Sequence, residues 1–375
     1  MSTQKRGHGD ISKLKVFLLL PITLRLSSVL IFYLGTFTFL LTAPKSSAQD
    51  FHLSQYDASP MYLNPSMTGL FSGYYRVHAH YRNQWSSVAS PFTTTSVAFD
   101  MPYHNLRVTT RSGGKKIAIG GIILNNRAGT GNYNVLNFSL SAAYDLSFTQ
   151  SKDHHISIGP QIGFIHKSVN IDKLLFHNQY TYTNSNGFDP GLPNGEMFDN
   201  ASIILPDINA GIIYYYASDM SVINPFLGFS VFHLTEPNET FYSNENKLPR
   251  RYTGHGGIKI NLTPVIQITP QILIMNQQNA NEKTLSFNGS YYLKAQDAWV
   301  YAGIDYRSFQ FREFSVNDAF ISMAGLKYKR YEYRISYDIN TSSLKSVSRG
   351  RGGFELSITY IAEKLKKNQY SCPRL

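Results

Sequence analysis

Cysteine is almost absent from this chain. The one example, Cys372, sits near the C-terminus, which excludes any intramolecular disulfide. Charge is scarce too: 16% of the 375 residues are charged, against about 25% in an ordinary soluble domain. After residue 48 no run of about 18 apolar residues occurs, so no transmembrane helix is expected. Catalytic signatures are missing. There is no nucleophile elbow, P-loop, HExxH or CxxC, and no Ser/His or Asp/His group can be assembled from spacing. The chain is therefore not read as an enzyme, and no cofactor or metal is expected. Basic clustering is also lacking. The formal charge of +11 falls to +6 once residues 1–48, with six Lys/Arg and one Asp, are set aside, leaving 29 basic and 23 acidic residues. No basic stripe or recognition motif accompanies it, so nucleic acid is not an expected partner.

The N-terminus is a targeting segment. Lys5, Arg6, Lys13 and Lys15 precede an apolar run from Leu26 to Leu41, and Ser46-Ser47-Ala48 supplies small residues at a cleavage site after Ala48. That order predicts a secretory signal peptide over residues 1–48. No Cys follows the apolar run, so a lipoprotein is not expected.

The C-terminus carries the clearest strand. In Gly352–Ile361, Phe354, Leu356, Ile358 and Tyr360 share one face; Glu355, Ser357 and Thr359 share the other. Such alternation suits the closing strand of an outer-membrane β-barrel. Tyr75–Tyr81 alternates likewise, with Arg76, His78, His80 and Arg82 on one side. Four ionisable side chains would be costly against lipid, so they are expected to face a wet, cationic lumen rather than to ligate a metal. His154-His155, as strand neighbours, point to opposite faces and are expected to be exposed at a turn.

Val135–Phe148 is long for a soluble sheet and suits a tilted span. The others are Thr93–Met101, Lys116–Asn126, His155–Lys167, Ile208–Ala217, Val222–His233, Tyr252–Asn261, Val265–Met275, Thr284–Leu293, Trp299–Ser308, Phe320–Tyr328 and Tyr331–Ile339. With the two terminal strands they number about fourteen. Lys116–Asn126 and Val222–His233 are weak, being apolar on both faces. The expected fold is one all-β, antiparallel transmembrane barrel over residues 74–361. An N-terminal periplasmic or plug segment, 49–73, precedes it, and a periplasmic tail, 362–375, follows. Connections alternate short and long. Ser168–Pro206 and Thr235–Pro249 are expected outside, tight turns such as Thr263-Pro264 inside, and Pro102–Lys115 is a long exception.

Both ends carry more specific elements. The first reads Ser54-Gln55-Tyr56, Leu63-Asn64-Pro65 and Gly69, then Arg82, Gln84 and Trp85, then Pro91-Phe92-Thr93-Thr94. The second reads Gly353-Phe354-Glu355, then Cys372-Pro373-Arg374. Locally, Asn64-Pro65 is a turn and Trp85 a membrane-interface residue. In this order the set resembles the PorP/SprF family of the type IX secretion system. Leu375 departs from it, since that family usually ends on an aromatic residue.

The resemblance implies an outer-membrane accessory that assists export or surface display of particular large, adhesin-like secreted proteins. It further implies contact with periplasmic, peptidoglycan-linked components of the secretion and gliding machinery. Outer-membrane lipid, those periplasmic proteins and a secreted client are the implied partners. Both termini are expected in the periplasm, with residues 51–69 folded at or into the periplasmic mouth, their aromatic and Asn-Pro elements packed on the lumen wall. A basic strip of Lys364, Lys366, Lys367 and Arg374 is offered to a partner. A general porin, with Arg76 and Arg82 setting anion preference, is the alternative; an outer-membrane hydrolase is a weaker third.

Overall fold

The computed structural model describes residues 50–86, 90–103, 115–148, 153–182, 187–196, 198, 201–218, 221–242, 245–311, 314–343 and 345–362. Residues 1–48 and the tail, including Cys372, Pro373 and Arg374, lie outside them. No described helix is long and apolar enough to cross a membrane.

Fourteen antiparallel strands close on themselves. They are β1 (Arg76–Gln84), β2 (Phe92–Tyr103), β3 (Lys115–Ala128), β4 (Tyr133–Ser147), β5 (His154–Ser168), β6 (Ser202–Tyr216) and β7 (Ile223–Phe232). The second half comprises β8 (Arg251–Thr263), β9 (Ile266–Gln277), β10 (Ala280–Leu293), β11 (Ala298–Phe311), β12 (Phe314–Tyr328), β13 (Tyr331–Asn340) and β14 (Arg351–Ile361). Neighbours in sequence are neighbours in the sheet, and β1 pairs with β14 from Arg76↔Ile361 to Gln84↔Gly353. Closure leaves no sheet edge, which a bilayer requires because lipid cannot hydrogen-bond a free edge.

Alternation follows from the two solvents. Val97, Phe99, Ile119, Ile123, Ile158 and Ile162 project outward and are exposed, while Ser139, Ser141, Asp145, Gln161, Asp207 and Asn209 are buried inside. An apolar band of this extent excludes a water-soluble barrel. Aromatic rings mark one rim, where Tyr75, Tyr331 and Tyr360 pack with centroids 5.1 and 6.0 Å apart, as interface girdles do. β1 starts and β14 ends at that rim, called here the strand-terminal mouth; the opposite mouth carries the connections 169–201 and 233–250.

Much of the lumen is filled by the chain itself. Residues 50–73 run through it as a plug of single helical turns: Tyr56–Ala58, Pro60–Leu63 and Pro65–Met67. Pro60 and Pro65 each open a turn, where the missing N–H leaves no bond unmade. The first and last described residues, Asp50 and Ala362, lie at opposite mouths. Asp50 bonds Gln277, the last residue of β9, whereas Tyr74 N–H donates to Ala362 beyond β14. Residues 51–69, expected at or in the mouth and packed on the lumen wall, do pack on that wall and extend along the lumen, because their polar groups find partners all along it.

The plug explains the two weak strands. Ile122 of β3 packs with Met61 and Ala98, and Phe226 of β7 with Tyr56, Leu63, Met67 and Leu70. These inner positions are apolar because they meet protein rather than water.

Candidate functional site: a lumen sealed by its own N-terminal segment

Ser54-Gln55-Tyr56 forms the centre of the seal. Glu355 of β14 accepts the Ser54 N–H at 2.6 Å and the Gln55 N–H at 2.8 Å. Ser54 Oγ donates to Asp338 Oδ2 at 2.8 Å and accepts from Arg82 Nη1 at 2.7 Å and Arg307 Nη1 at 2.8 Å. Arg82 is also paired with Glu355, and it reaches Asp338 at 3.0 Å and Gln84 at 2.9 Å. Gln55 donates to Ser336 and accepts from Ser357; Tyr56 OH donates to Ser286. Arg82, Glu355, Asp338 and Arg307 are each at most 2% exposed. Charge-assisted bonds without competing water are the strong kind, and removing one partner strands the rest.

His78 and His80 sit one level nearer the strand-terminal mouth. Both rings contact Ser59 Oγ at 3.3 Å; His78 also meets Thr359 at 2.8 Å, and His80 meets Glu355 at 3.1 Å. Among the described residues no group of three His, Cys, Asp or Glu is placed to hold a metal. Arg76 pairs with Asp100 at 2.7 and 2.9 Å, and its guanidinium lies 4.8 Å from the Phe71 ring centre. Arg76, His78, His80 and Arg82 thus all point inward, onto the plug. His154 and His155, expected to be exposed at a turn, are instead packed: His154 bonds Tyr214, and His155 lies 8% exposed, 3.2 Å from Asp145 and stacked on Tyr215. They occupy the start of β5, where cross-strand rings cover them.

The Leu63-Asn64-Pro65 element grips the opposite wall. Leu63 enters the apolar cluster with Ile213, Phe226 and Leu273. Asn64 Oδ1 accepts the Ser66 N–H at 3.0 Å, closing the turn, while Nδ2 donates to Ile212 O at 3.1 Å and meets His255 Nε2 at the same distance. Wall glycines make room for this approach. A Cβ at Gly159 would stand 2.6 Å from the Pro65 carbonyl, and one at Gly211 would overlap Asn64 Oδ1. Gly69 has φ +73°, and its Cβ would collide with Ala118, so glycine is required there. The Gly69 N–H donates to Asp100 at 2.7 Å.

Trp85, Pro91 and Phe92 lie apart from the plug, in the β1–β2 hairpin at the far mouth. Trp85 packs edge-on to Phe92 at 5.2 Å, and its N–H donates to Gly352 O.

The far end of the plug is held by Asp50, which sequence patterning did not single out. Its carboxylate bonds His233 Nε2 at 2.8 Å and Arg251 Nη1 at 2.9 Å; His233 Nδ1 meets Asp207 at 2.9 Å. Arg251 also donates to Tyr62 OH at 2.7 Å and stacks over Phe232 at 4.1 Å. Burial disfavours the charged form of His233, but Asp50 and Asp207 outweigh it and raise its pKa to about 9. Burial likewise opposes ionisation of Asp50, yet His233 and Arg251 hold its carboxyl well below the usual range.

A histidine pKa raised above the unfolded value of about 6.5 contributes stability that is full below that pH and lost as pH climbs past about 9. The shift corresponds to roughly 3 kcal/mol. Asp50 adds stability above about pH 4 that disappears only in strong acid. Raising pH from 7 to 10 should therefore free the start of the plug. Chymotryptic cleavage after Phe51, corrected for the protease's own pH profile, should accelerate by at least about tenfold. His233→Gln should show the fast rate already at pH 7. A corrected rate that is flat across this range would remove the proposed anchor.

The closed lipid-facing sheet and filled interior define an outer-membrane β-barrel occluded by its own chain. Residues 45–360 match the type IX secretion system membrane protein PorP/SprF family, and the chain belongs to it. No curated protein matches. Solved structures that the chain is similar to include the CymD monoaromatic hydrocarbon channel, at 9% identity over 82% of this chain and 94% of that one, TM-score 0.47. The Ralstonia pickettii toluene transporter TbuX is similar at 12% identity over 81% and 92%, TM-score 0.47. A ferric enterobactin receptor of Pseudomonas aeruginosa shows 12% identity over 72% of this chain, TM-score 0.32, and the present chain spans 44% of that receptor's length.

Proposed function

We propose that this barrel is a non-enzymatic accessory of type IX secretion that assists export or surface display of particular secreted proteins. The strand-terminal mouth faces the periplasm, where the tail meets the secretion machinery. Family membership supports the pathway. The single observation that carries the reading is the sealed lumen. A steady solute channel needs an open water path, whereas here Ser54, Asn64 and Asp50 are each bonded to the wall at a different level. Such a barrel suits a docking body in the membrane better than a porin.

Deleting the gene and comparing surface and culture-supernatant proteomes with the parent tests this. Selective loss of one or a few large secreted proteins is expected and would name the client. An unchanged secretome would reject the export role and leave the solute-channel alternative to be tested by conductance.

A further inference from the structure

The plug leaves one part of the lumen unfilled. A cavity of about 500 Å³ lies between plug and wall in the half nearest the strand-terminal mouth, where Arg76 opens β1 and Ile361 ends β14. The volume falls within the range of small-ligand sites, about 300–1,000 Å³.

Elsewhere the polar wall answers to the plug. Ser286 accepts from Tyr56 OH, Ser157 Oγ donates to Ser66 O, and Ser230 Oγ donates to Leu63 O. Around the cavity that matching stops. Gln267, Thr269 and Gln271 take alternate positions on β9, and Ser290 lies in register with Gln267 on β10. All four line the cavity and are partly exposed. Their side chains have no hydrogen-bond partner among the described residues. Their polarity is therefore spent on whatever fills the cavity rather than on the fold.

The charges of the lining are already matched. Arg334 bonds Glu332 at 2.7 and 2.6 Å and Asp57 at 2.6 Å, and Arg76 pairs with Asp100 at 2.7 Å. Lys259 is engaged as well. A charged ligand would have to break one of these pairs, so a neutral one fits better. Amides and hydroxyls both donate and accept, as the hydroxyls of a sugar do. Trp299 adds a flat apolar surface: its indole lines the cavity, braced by Tyr292 with ring centroids 5.2 Å apart. An extended peptide is recognised chiefly by a sheet edge or an apolar groove, and the closed wall has no edge to offer.

We propose that this vestibule binds a neutral saccharide chain, its hydroxyls paired with Gln267, Thr269, Gln271 and Ser290 and one sugar ring stacked on Trp299. The proposal rests on the reading above only for the compartment that supplies the sugar.

Trp299 is a built-in reporter, since the chain has two tryptophans and the other, Trp85, lies at the far mouth. Trp85→Phe protein is purified in a detergent without a sugar headgroup. It is titrated with chitotetraose, whose rings carry acetamido groups, and with maltotetraose, which carries hydroxyls alone. At least one should give a saturable change in tryptophan emission, and the better of the two tells an amino-sugar source from a glucan source. The apparent Kd should hold within about twofold between about 50 and 500 mM salt, since no ion pair forms. Gln267→Leu and Gln271→Leu should each weaken binding by about threefold to tenfold, with folding checked by gel mobility of unheated samples.

No response to either sugar, or two leucine variants that both bind as the parent, would overturn the site. A response to acetyl-hexaglycine amide but to neither sugar would overturn it in favour of a peptide. An affinity that falls about tenfold with salt would overturn the neutral reading. Should one variant fail to assemble, the other decides; should both fail, the sugar titrations and salt series on the parent decide. Client loss on gene deletion together with flat sugar titrations would remove this site and leave the export role standing.

Discussion

Replacing Glu355 with alanine should turn a silent barrel into a conducting one. Glu355 is wholly buried and joins four groups: the backbone N–H of Ser54 and Gln55, the His80 ring and the Arg82 guanidinium. Without it, Arg82 keeps only Asp338 as an ionic partner, and two plug amides lose their acceptor. Breaking a buried ion pair from one side costs about 3–5 kcal/mol, and each orphaned amide adds about 1–3 kcal/mol. That cost falls on the closed state, since an opened lumen would let water solvate Arg82. Parent protein in planar bilayers should carry no steady current, and Glu355→Ala should show long open events while its unheated gel mobility stays that of a folded barrel. An open parent, or a variant as silent as the parent, would mean that the plug does not gate conduction.

Removing residues 365–375 should abolish client export without disturbing the barrel. Pairing of β1 with β14 is complete at Arg76↔Ile361, and Ala362 closes the seam by donating to Tyr75 O and accepting from Tyr74 N–H. That described ladder closes at residue 361, before the deleted residues, so outer-membrane abundance and heat-modifiability should match the parent. The deleted residues do contain Lys366, Lys367 and Arg374, the basic groups proposed to meet periplasmic machinery. Export at parental levels from an assembled truncation would refute that role for the tail. Loss of the barrel itself would show instead that the tail serves assembly.

Much of the barrel was legible in the sequence because lipid is an exacting solvent. It selects an apolar residue at every second position, and each of the fourteen expected strands overlaps an observed one. β3 and β7 read poorly because their inner faces answer to Met61, Tyr56 and Leu63, residues far away in sequence. Inward Arg76, His78, His80 and Arg82 were readable from their common face, but the plug was not: Ser54, Ser59 and Phe71 pack against them, and only Arg76 and His78 also line the remaining cavity. Glu355, Asp338 and Arg307 also occupy inward positions, and buried charges of opposite sign on nearby strands were the available signal for a lock. Asp50, His233 and Arg251 left no such trace, because a strand-end residue, a loop residue and a plug residue share no periodicity.

Asp50 resting at one mouth while Tyr74 rests at the other constrains the order of biogenesis. A 25-residue stretch must be drawn through a closed ring of strands or enclosed as that ring zips shut. Either way, its leading end cannot stay tethered on the side from which β1 departs. With the strand-terminal mouth on the periplasmic side, as proposed above, a signal peptide that held the newly translocated chain at the inner membrane would have to be removed before the barrel seals. Leader processing would then act as a checkpoint, and a chain retaining its leader would be trapped as an unplugged, leaky assembly intermediate.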